Sequence, residues 1–443
     1  MSAASMNTVD LLARRRRRLG ADLSLSYRAP LTIVRGSGAH LYDADGRAYL
    51  DLVNNVAHVG HAHPRVVEAA ARQKALLETN TRYLHPLILD YADRLTATLP
   101  AGLDVVHLVN SGSEANEFAL RMARTVTGRR DVAALESGYH GNTSGLVDIS
   151  PYKFDGPGGS GRPASTHVAP LPDPYRGRHS GDGPRPGTTE GRVQAHPYLA
   201  DLEAVLTAAA DDGHPVGAFF MESAPGSAGQ VVPPPGYVSG AFEVARAAGA
   251  LAIADEVQVG LGRVGSHWWA FEVDGAMPDI VTMGKPLGNG HPLGAVVTTR
   301  AVADAFANGM EYFNTFGGNP VSAAVGIAVL DVIEEEGLRA RALESGARFV
   351  AGLRELAGRH QAIGDVRGLG LFLGVVLVRD RATREPATEL AAAVVEGALA
   401  HGILLSADGP DHEVLKIKPP LVITEADVDR TIETLDLLLA ELA

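Results

Sequence analysis

Short apolar runs that end in charged residues constrain most strongly what this chain can fold into. Residues 251–254 (LAIA) are followed by Asp255, and residues 280–283 (IVTM) are followed, after one glycine, by Lys285. Runs of this length without polar alternation are typical of buried parallel strands. Ligands of open α/β sheets bind in the crevice beyond the carboxyl ends of such strands. We therefore expect Asp255 and Lys285 to emerge into one pocket.

A third strand-like run leads into a polar turn and a helix. Residues 105–109 (VVHLV) precede Ser111, Gly112 and Ser113, and apolar residues then recur at helical spacing. Small residues at a helix N-terminus leave backbone N–H groups free to bind phosphate. Pyridoxal phosphate requires a lysine for its aldehyde, an aspartate for its ring nitrogen and a turn that binds its phosphate. The sequence thus predicts that Lys285 forms a Schiff base with this cofactor and moves the proton, while Asp255 keeps the ring nitrogen protonated.

The length and the order of patterns predict a large domain and a smaller one. The chain has 443 residues, which is too long for one small core. Strand and helix patterns alternate over residues 105–297, as in an α/β domain with a mostly parallel sheet. We expect residues 1–59 to be an N-terminal segment of the small domain, 60–325 the large cofactor-binding domain, and 326–443 the C-terminal part of the small domain. Residues 154–197, rich in Gly, Pro, Ser and Thr, are predicted to form a long surface excursion.

Composition excludes several classes of function. The chain has no cysteine, which excludes disulfides, thiolate metal sites and cysteine nucleophiles. The formal net charge of -13 argues against general nucleic-acid binding. No apolar run reaches the length of a membrane span. The basic residues 14–18 have no apolar segment beside them and are expected to form a solvated helix or arm. These features favour a cytoplasmic enzyme.

Other motifs offer weaker alternatives. Residues 260–265 (GLGRVG) match the dinucleotide fingerprint, but the residues that follow lack the pattern of the helix that this site needs. The histidines His58, His61 and His63 lie in a glycine-containing loop without carboxylates at ligand spacing, so a structural or substrate-facing role is favoured over a metal site. The sequence contains no Gly-x-Ser-x-Gly elbow of a hydrolase.

The polar motifs, in their order along nearly the whole chain, resemble those of class III aminotransferases. They are residues 110–115 (NSGSEA), 139–141 (YHG), 255–258 (DEVQ), Lys285 and 315–320 (TFGGNP). The resemblance implies a type I pyridoxal-phosphate-dependent transferase fold of the α/β class, and a homodimer with active sites at the interface. Carried onto this sequence, it implies that Ser111, Gly112 and Ser113 hold the phosphate, Tyr139 stacks on the ring, Asp255 binds the ring nitrogen, Gln258 approaches the ring hydroxyl, Lys285 is the Schiff-base lysine, His140 and Glu222 complete the cofactor site, and Thr315 reaches the phosphate from the partner subunit.

Several further stretches are similar to ethanolamine-phosphate and phosphohydroxylysine phospho-lyases within that family. They are residues 54–61, 80–85, 148–154, 405–410 and 415–420, together with Glu222-Ser223, where many family aminotransferases have Glu-Pro. This likeness implies elimination of phosphate from a small phosphorylated amine such as ethanolamine phosphate. The alternative is an ω-aminotransferase that moves an amino group from an amine to a keto acid. A non-catalytic cofactor-binding protein is disfavoured because both Lys285 and Asp255 are present.

A phospho-lyase needs positive charge away from the cofactor's own phosphate. Arg82, in a loop that the resemblance places at the dimer interface, and the pair Lys416 and Lys418 are the candidates. The two lysines point to one side of a strand, so they fit either a phosphate site or a solvated edge strand. Arg367 resembles the family arginine that takes a substrate carboxylate, and here it fits either phosphate binding or a structural role.

Overall fold

Three β-sheets form the framework of the chain in the computed structural model, which describes residues 8–180 and 196–443. The α-helices are α1 (Thr8–Arg18), α2 (Pro64–Leu76), α3 (Pro86–Thr96), α4 (Gly112–Thr127), α5 (Ser144–Val147), α6 (Pro151–Phe154), α7 (His196–Asp211), α8 (Tyr237–Ala247), α9 (Arg300–Phe306), α10 (Pro320–Glu335), α11 (Leu338–Arg359), α12 (Thr388–Ala400) and α13 (Glu425–Leu442). The strands are β1 (Ile33–Ser37), β2 (His40–Asp43), β3 (Ala48–Asp51), β4 (Val105–Val109), β5 (Asp131–Leu135), β6 (Thr166–Ala169), β7 (Val216–Glu222), β8 (Leu251–Asp255), β9 (Ile280–Met283), β10 (Gly294–Thr298), β11 (Ile363–Leu369), β12 (Phe372–Asp380), β13 (Glu385–Pro386), β14 (Ile403–Leu404), β15 (Ser406–Asp408) and β16 (Val414–Ile417).

The largest sheet has seven strands and is mostly parallel. Its order is β4-β10-β9-β8-β7-β5-β6, and β10 runs antiparallel to both of its neighbours. Alternate residues of β8 enter different cores: Ala252 and Ala254 lie in the main hydrophobic cluster, whereas Ile253 packs in a second cluster with α4. Both faces of the strand are therefore buried, which explains the uninterrupted apolar run. The α/β prediction with a mostly parallel sheet is confirmed.

Of two smaller sheets, one combines strands from the N-terminal and C-terminal parts of the chain, and the other contains C-terminal strands alone. The first has the order β1-β2-β3-β14, in which Ile403 of β14 pairs in parallel with Leu50 of β3. The second has the order β11-β12-β16-β15, with β13 beside β12. Helix α10 runs without interruption through residue 325. The division of the chain after residues 59 and 325 stays a prediction.

The predicted surface excursion over residues 154–197 is wrong in one part. Residues 166–169 form β6, which pairs in parallel with β5 at the edge of the large sheet. His167 Nε2 lies 3.0 Å from Asp131 Oδ2 across this pair. The strand has only four residues among many glycines and prolines, so no periodicity distinguishes it. Residues 181–195 of the predicted excursion lie outside the described residues.

The alternative motifs of the sequence have structural roles. Residues 260–269, all of them described, form turns and bends rather than the helix of a dinucleotide site. Buried Arg263 donates hydrogen bonds to the Leu371 and Pro419 carbonyl oxygens, and buried His58 contacts the Leu261 carbonyl oxygen at 2.6 Å. Within the described ranges, we find no cluster of potential metal ligands. None of the described helices is both long and apolar enough to cross a membrane.

The basic run of residues 14–18 lies in the second half of α1, which has no buried residue. Positive charges near a helix C-terminus interact favourably with the helix dipole. The expected solvated helix is therefore observed.

We expect Gly346→Ala to destabilise the protein, because α11 approaches the backbone of Gly370 closely at this position. A Cβ atom on Gly346 would lie 2.1 Å from the Gly370 carbonyl oxygen. Overpacking of this kind costs about 1–3 kcal/mol. Gly358→Ala in the same helix is the control, since a Cβ there meets nothing within 4 Å, and it should leave stability unchanged or raise it by about 0.5–1 kcal/mol. Denaturant unfolding of both variants tests this, and equal effects would contradict the packing argument.

Candidate active site

Three polar side chains meet at the carboxyl edge of the large sheet. Glu222 ends β7 and pairs in register with Asp255, which ends β8. Asp255 in turn is opposite Thr282 of β9, and Lys285 follows two residues after that strand. The parallel register therefore brings the two carboxylates and the lysine together, and the apolar runs of the sequence predict this for Asp255 and Lys285.

The N-terminus of α4 faces the same edge. Ser111 caps the helix, and its Oγ accepts a hydrogen bond from Glu114 N at 3.1 Å. The Gly284 backbone packs directly on this turn, because a Cβ there would lie 2.9 Å from Gly112 N. A glycine is required before Lys285 so that this lysine can approach the helix N-terminus. The first-turn N–H groups of a helix have no partner within the helix, and they bind anions readily.

A cavity of about 380 Å³ opens between the strand ends and α4. Among its lining residues are Ser111, Gly112, Ser113, Tyr139, His140, Glu222, Asp255, Gln258 and Lys285. These nine are the residues predicted to bind the cofactor, apart from Thr315. The structure thus brings together residues that are far apart in the sequence, from Ser111 to Lys285.

Asp255 is held by hydrogen bonds from other elements. Its Oδ2 accepts from Asn116 Nδ2 at 2.8 Å and lies 2.9 Å from His140 Nδ1, and its Oδ1 accepts from Val257 N at 3.1 Å. Burial of a carboxylate is unfavourable without such partners. Asn116 is not among the predicted site residues. It directly follows the 110–115 motif, one helical turn beyond Ser113, and this spacing is a signal that could have identified it.

The ionisable groups of the cavity influence each other. Burial lowers the pKa of Lys285, opposed by the charges of Asp255 and Glu222 and reinforced by that of Lys416. Burial, together with the neighbouring Asp255, raises the pKa of Glu222 to about 7. The Glu222 Oε2 atom accepts a hydrogen bond from Gly226 N at 3.0 Å. A lowered pKa favours the unprotonated amine that a Schiff-base lysine must present.

Lys418 lies inside the protein rather than on a solvated edge. Its Nζ donates to Gln258 Oε1 at 2.7 Å, and burial lowers its pKa well below the usual value. Strand β16 lies between β12 and β15, so the edge-strand interpretation of Lys416 and Lys418 is wrong. Lys416 Nζ forms an ion pair with Asp408 Oδ2 at 2.8 Å.

The remaining predicted residues lie away from the cavity lining. Arg82 is exposed, where its guanidinium pairs with Glu311 at 2.9 Å and lies 4.4 Å from the Phe313 ring centroid. Thr315 is also exposed on the neighbouring loop. Arg367 is buried against Asp173 at 3.0 Å and lines a separate cavity of about 400 Å³. Within one chain, these three residues do not join the Lys285 cavity.

The residues present fit pyridoxal phosphate. Among the described residues, buried His140 Nε2 and Asn116 Oδ1 have no hydrogen-bond partner, so both retain capacity for a polar ligand. The helix N-terminus supplies phosphate donors, Tyr139 supplies an aromatic face, and Asp255 and Lys285 supply the carboxylate and the amine that the cofactor needs.

Comparison with known proteins identifies the family of the chain. The family model of class-III aminotransferases matches residues 24–439. A Drosophila melanogaster protein named alanine–glyoxylate aminotransferase 2-like is 46% identical over 432 residues, which cover 97% of this chain and 86% of that protein. A Caenorhabditis elegans protein named ethanolamine-phosphate phospho-lyase homolog 1 is 42% identical over 432 residues, covering 96% and 92%.

A solved structure also matches nearly the whole chain. A phospholyase from Arthrobacter in complex with phosphoethanolamine matches with a TM-score of 0.91 and 40% identity, covering 98% of this chain and 100% of that one. These matches extend over nearly the whole chain and include all of its sheets. The chain therefore belongs to the class III aminotransferase family and is a pyridoxal-phosphate-dependent enzyme.

Proposed function

We propose that this protein is a homodimeric phospho-lyase that eliminates phosphate from a small phosphorylated amine. Ethanolamine phosphate is the preferred candidate substrate, and the products are acetaldehyde, ammonia and inorganic phosphate. The observation that carries the proposal is the 40% identity, over 98% of the chain, to a phospholyase that binds phosphoethanolamine. The name of the Caenorhabditis elegans relative gives independent support.

The described residues fit defined roles in holding the cofactor. The α4 N-terminus, with Gly112 and Ser113, would bind the cofactor phosphate through backbone and hydroxyl donors. Asp255 would accept the hydrogen bond of the protonated ring nitrogen, and the contact with His140 keeps this carboxylate in place. Gln258 would donate to the ring hydroxyl from its amide, because its Oε1 is already occupied by Lys418.

Lys285 is suited to act as the base of the reaction. Bound pyridoxal phosphate supplies an aldehyde that bonds to amines and a ring that accepts electrons from the adjacent carbon. Because burial lowers the pKa of Lys285, its amine can accept the proton from the carbon that bears the substrate nitrogen. The phosphate on the next carbon then leaves with the C–O bonding pair, and water releases the aldehyde and ammonia.

An ω-aminotransferase is the second candidate, favoured by the name of the Drosophila melanogaster relative. Both reactions begin with loss of the same proton to Lys285. They differ in the substrate's next carbon, because only a leaving group there permits elimination. A keto acid is required for amino transfer and is not required for elimination.

The proposed dimer would use the exposed surface around Arg82 and Thr315. Exposed apolar side chains concentrate on these two adjacent loops, with Leu84 98% and Phe316 69% exposed. The loops contact each other through the Arg82–Glu311 ion pair. Large exposed apolar patches mark interaction surfaces. A second copy of the chain seated here would bring Arg82 and Thr315 near a cavity that they do not line within one chain.

Incubation of the pure enzyme with ethanolamine phosphate, without a keto acid, should release inorganic phosphate and acetaldehyde in equal amounts. Elimination consumes no amino acceptor, so added pyruvate should not raise the rate. A phosphate assay and an aldehyde assay measure this. If neither product forms while alanine and a keto acid exchange their amino group, the protein is an aminotransferase and not a phospho-lyase.

Lys285→Ala should abolish the visible absorbance of the lysine-bound cofactor, because the covalent link to the aldehyde is lost. Lys416→Met is the matched control, since it removes another lysine near the cavity and should keep the absorbance. Borohydride reduction followed by peptide mass spectrometry should place the cofactor on Lys285 in the unsubstituted enzyme. Attachment to a different residue would refute the assignment.

Leu84→Asp should convert the proposed dimer into a monomer and lower elimination activity at least about tenfold, because a charge buried at an interface is strongly unfavourable. Leu437→Asp on α13, where the leucine is also exposed, is the control and should change neither property. Light scattering after size-exclusion chromatography gives the mass. A Leu84→Asp variant with unchanged mass would show that this surface is not the interface.

A further inference from the structure

The cations that the sequence suggests for the substrate phosphate are mostly neutralised by carboxylates. Three of the four cations that the sequence suggests for the substrate phosphate have a carboxylate partner. The pairs are Arg82 with Glu311, Arg367 with Asp173 and Lys416 with Asp408, at 2.9, 3.0 and 2.8 Å. Each carboxylate offsets the charge of its partner and repels an incoming phosphate. These pairs alone leave a dianionic leaving group without a free counter-charge.

Lys418 does not supply this counter-charge. Its Nζ is committed to Gln258 Oε1 at 2.7 Å, and the side chain is 1% exposed. The lysine therefore faces the side of the cavity where the cofactor ring hydroxyl would bind. It also lies 5.3 Å from the Phe372 ring centroid.

Lys153 lies beside the cavity with its charge uncompensated. Its Nζ is 5.5 Å from the centroid of the Tyr139 ring, which lines the cavity, and 5.3 Å from the centroid of Tyr152. In residues 8–180 and 196–443, no carboxylate forms an ion pair with Lys153. The lysine is exposed, so its ammonium group can rearrange without the cost of breaking a salt bridge.

The backbone holds Lys153 close to the cofactor site. Tyr152 N donates to the Gly138 carbonyl oxygen at 3.1 Å, which ties α6 to the loop that carries Tyr139. Phe154, on the other side of Lys153, is buried. The α6 backbone is thus fixed on both sides of Lys153, while the four-carbon side chain remains flexible.

We propose that Lys153 binds the leaving phosphate of the substrate and is a specificity-determining residue of this enzyme. The inference rests on the proposed phospho-lyase function. The substrate phosphate is attached to the carbon next to the one that bears nitrogen, so it needs a cation other than Lys285, and Lys153 is a cation beside Tyr139 of the cavity lining. A phosphate dianion is a much stronger partner for an ammonium group than an aromatic face is. Lys153 therefore exchanges its contacts with the two tyrosine rings for the substrate phosphate.

Kinetics with two substrates that share the aminoethyl group but carry different leaving groups test the assignment. Ethanolamine phosphate carries a dianionic leaving group, whereas 2-chloroethylamine loses chloride and needs no phosphate site. Lys153→Met should raise KM for ethanolamine phosphate roughly tenfold or more, as expected for a lost hydrogen bond to a charged group. KM for 2-chloroethylamine should not change. Lys153→Arg should restore most of the affinity.

Arg354→Met is the matched control, because it removes one exposed positive charge from α11 and should leave both KM values unchanged. Calorimetric titration of the holoenzyme with inorganic phosphate gives a second readout, in which Lys153→Met should weaken binding and Arg354→Met should not. If the unsubstituted enzyme releases phosphate but Lys153→Met has unchanged KM and phosphate affinity, the assignment of Lys153 is overturned and the proposed function stands. If the unsubstituted enzyme releases no phosphate, the proposed function fails and the assignment fails with it.

Discussion

Burial of the Asp255 carboxylate is the constraint on which the geometry of the site depends. An isolated carboxylate in the interior costs several kcal/mol or more, so donors must surround it. The donors are Asn116 from α4 and His140 from the loop after β5. The same helix carries the Ser111 cap, and the same loop carries Tyr139. One buried charge therefore fixes the relative positions of three elements of the cofactor cavity.

The parallel register creates the second electrostatic feature of the site. Glu222 and Asp255 end adjacent strands in register, so two acids lie side by side in a buried place. This arrangement, with burial, raises the pKa of Glu222 to about 7. The nearby carboxylates oppose the lowering of the Lys285 pKa without cancelling it, since burial is the larger cause. The sheet thus holds an acid and a base at perturbed pKa values within one cavity, as catalytic sites commonly do.

Local patterns predict Asp255, Lys285 and the turn from Ser111 to Ser113, because these residues lie at strand ends or at a helix start. Periodicity marks those positions, and the convergence of Asp255 and Lys285 follows from the parallel sheet. Gln258, His140 and Glu222 follow only from the family resemblance. The sequence could not reveal where long side chains point. Lys418 turns inward to Gln258, and Arg367 turns to Asp173, because tertiary partners far along the chain determine these directions. Four residues carry too little periodicity to reveal strand β6. Lys153 lies within residues 148–154, which resemble the phospho-lyases, but its own importance depends on which other cations are already paired.

The proposed enzyme must bind two phosphates for opposite purposes. The cofactor phosphate has to stay, and a helix N-terminus suits it because backbone N–H groups are rigid and lose no side-chain freedom on binding. The substrate phosphate has to leave after every turnover. An exposed lysine with a flexible side chain binds phosphate more weakly than the helix N-terminus does, and reversibly. Two tyrosine rings contact its ammonium group when no phosphate is present. A buried, bidentate arginine in the same place would bind phosphate more tightly, and release of the product would then limit the rate.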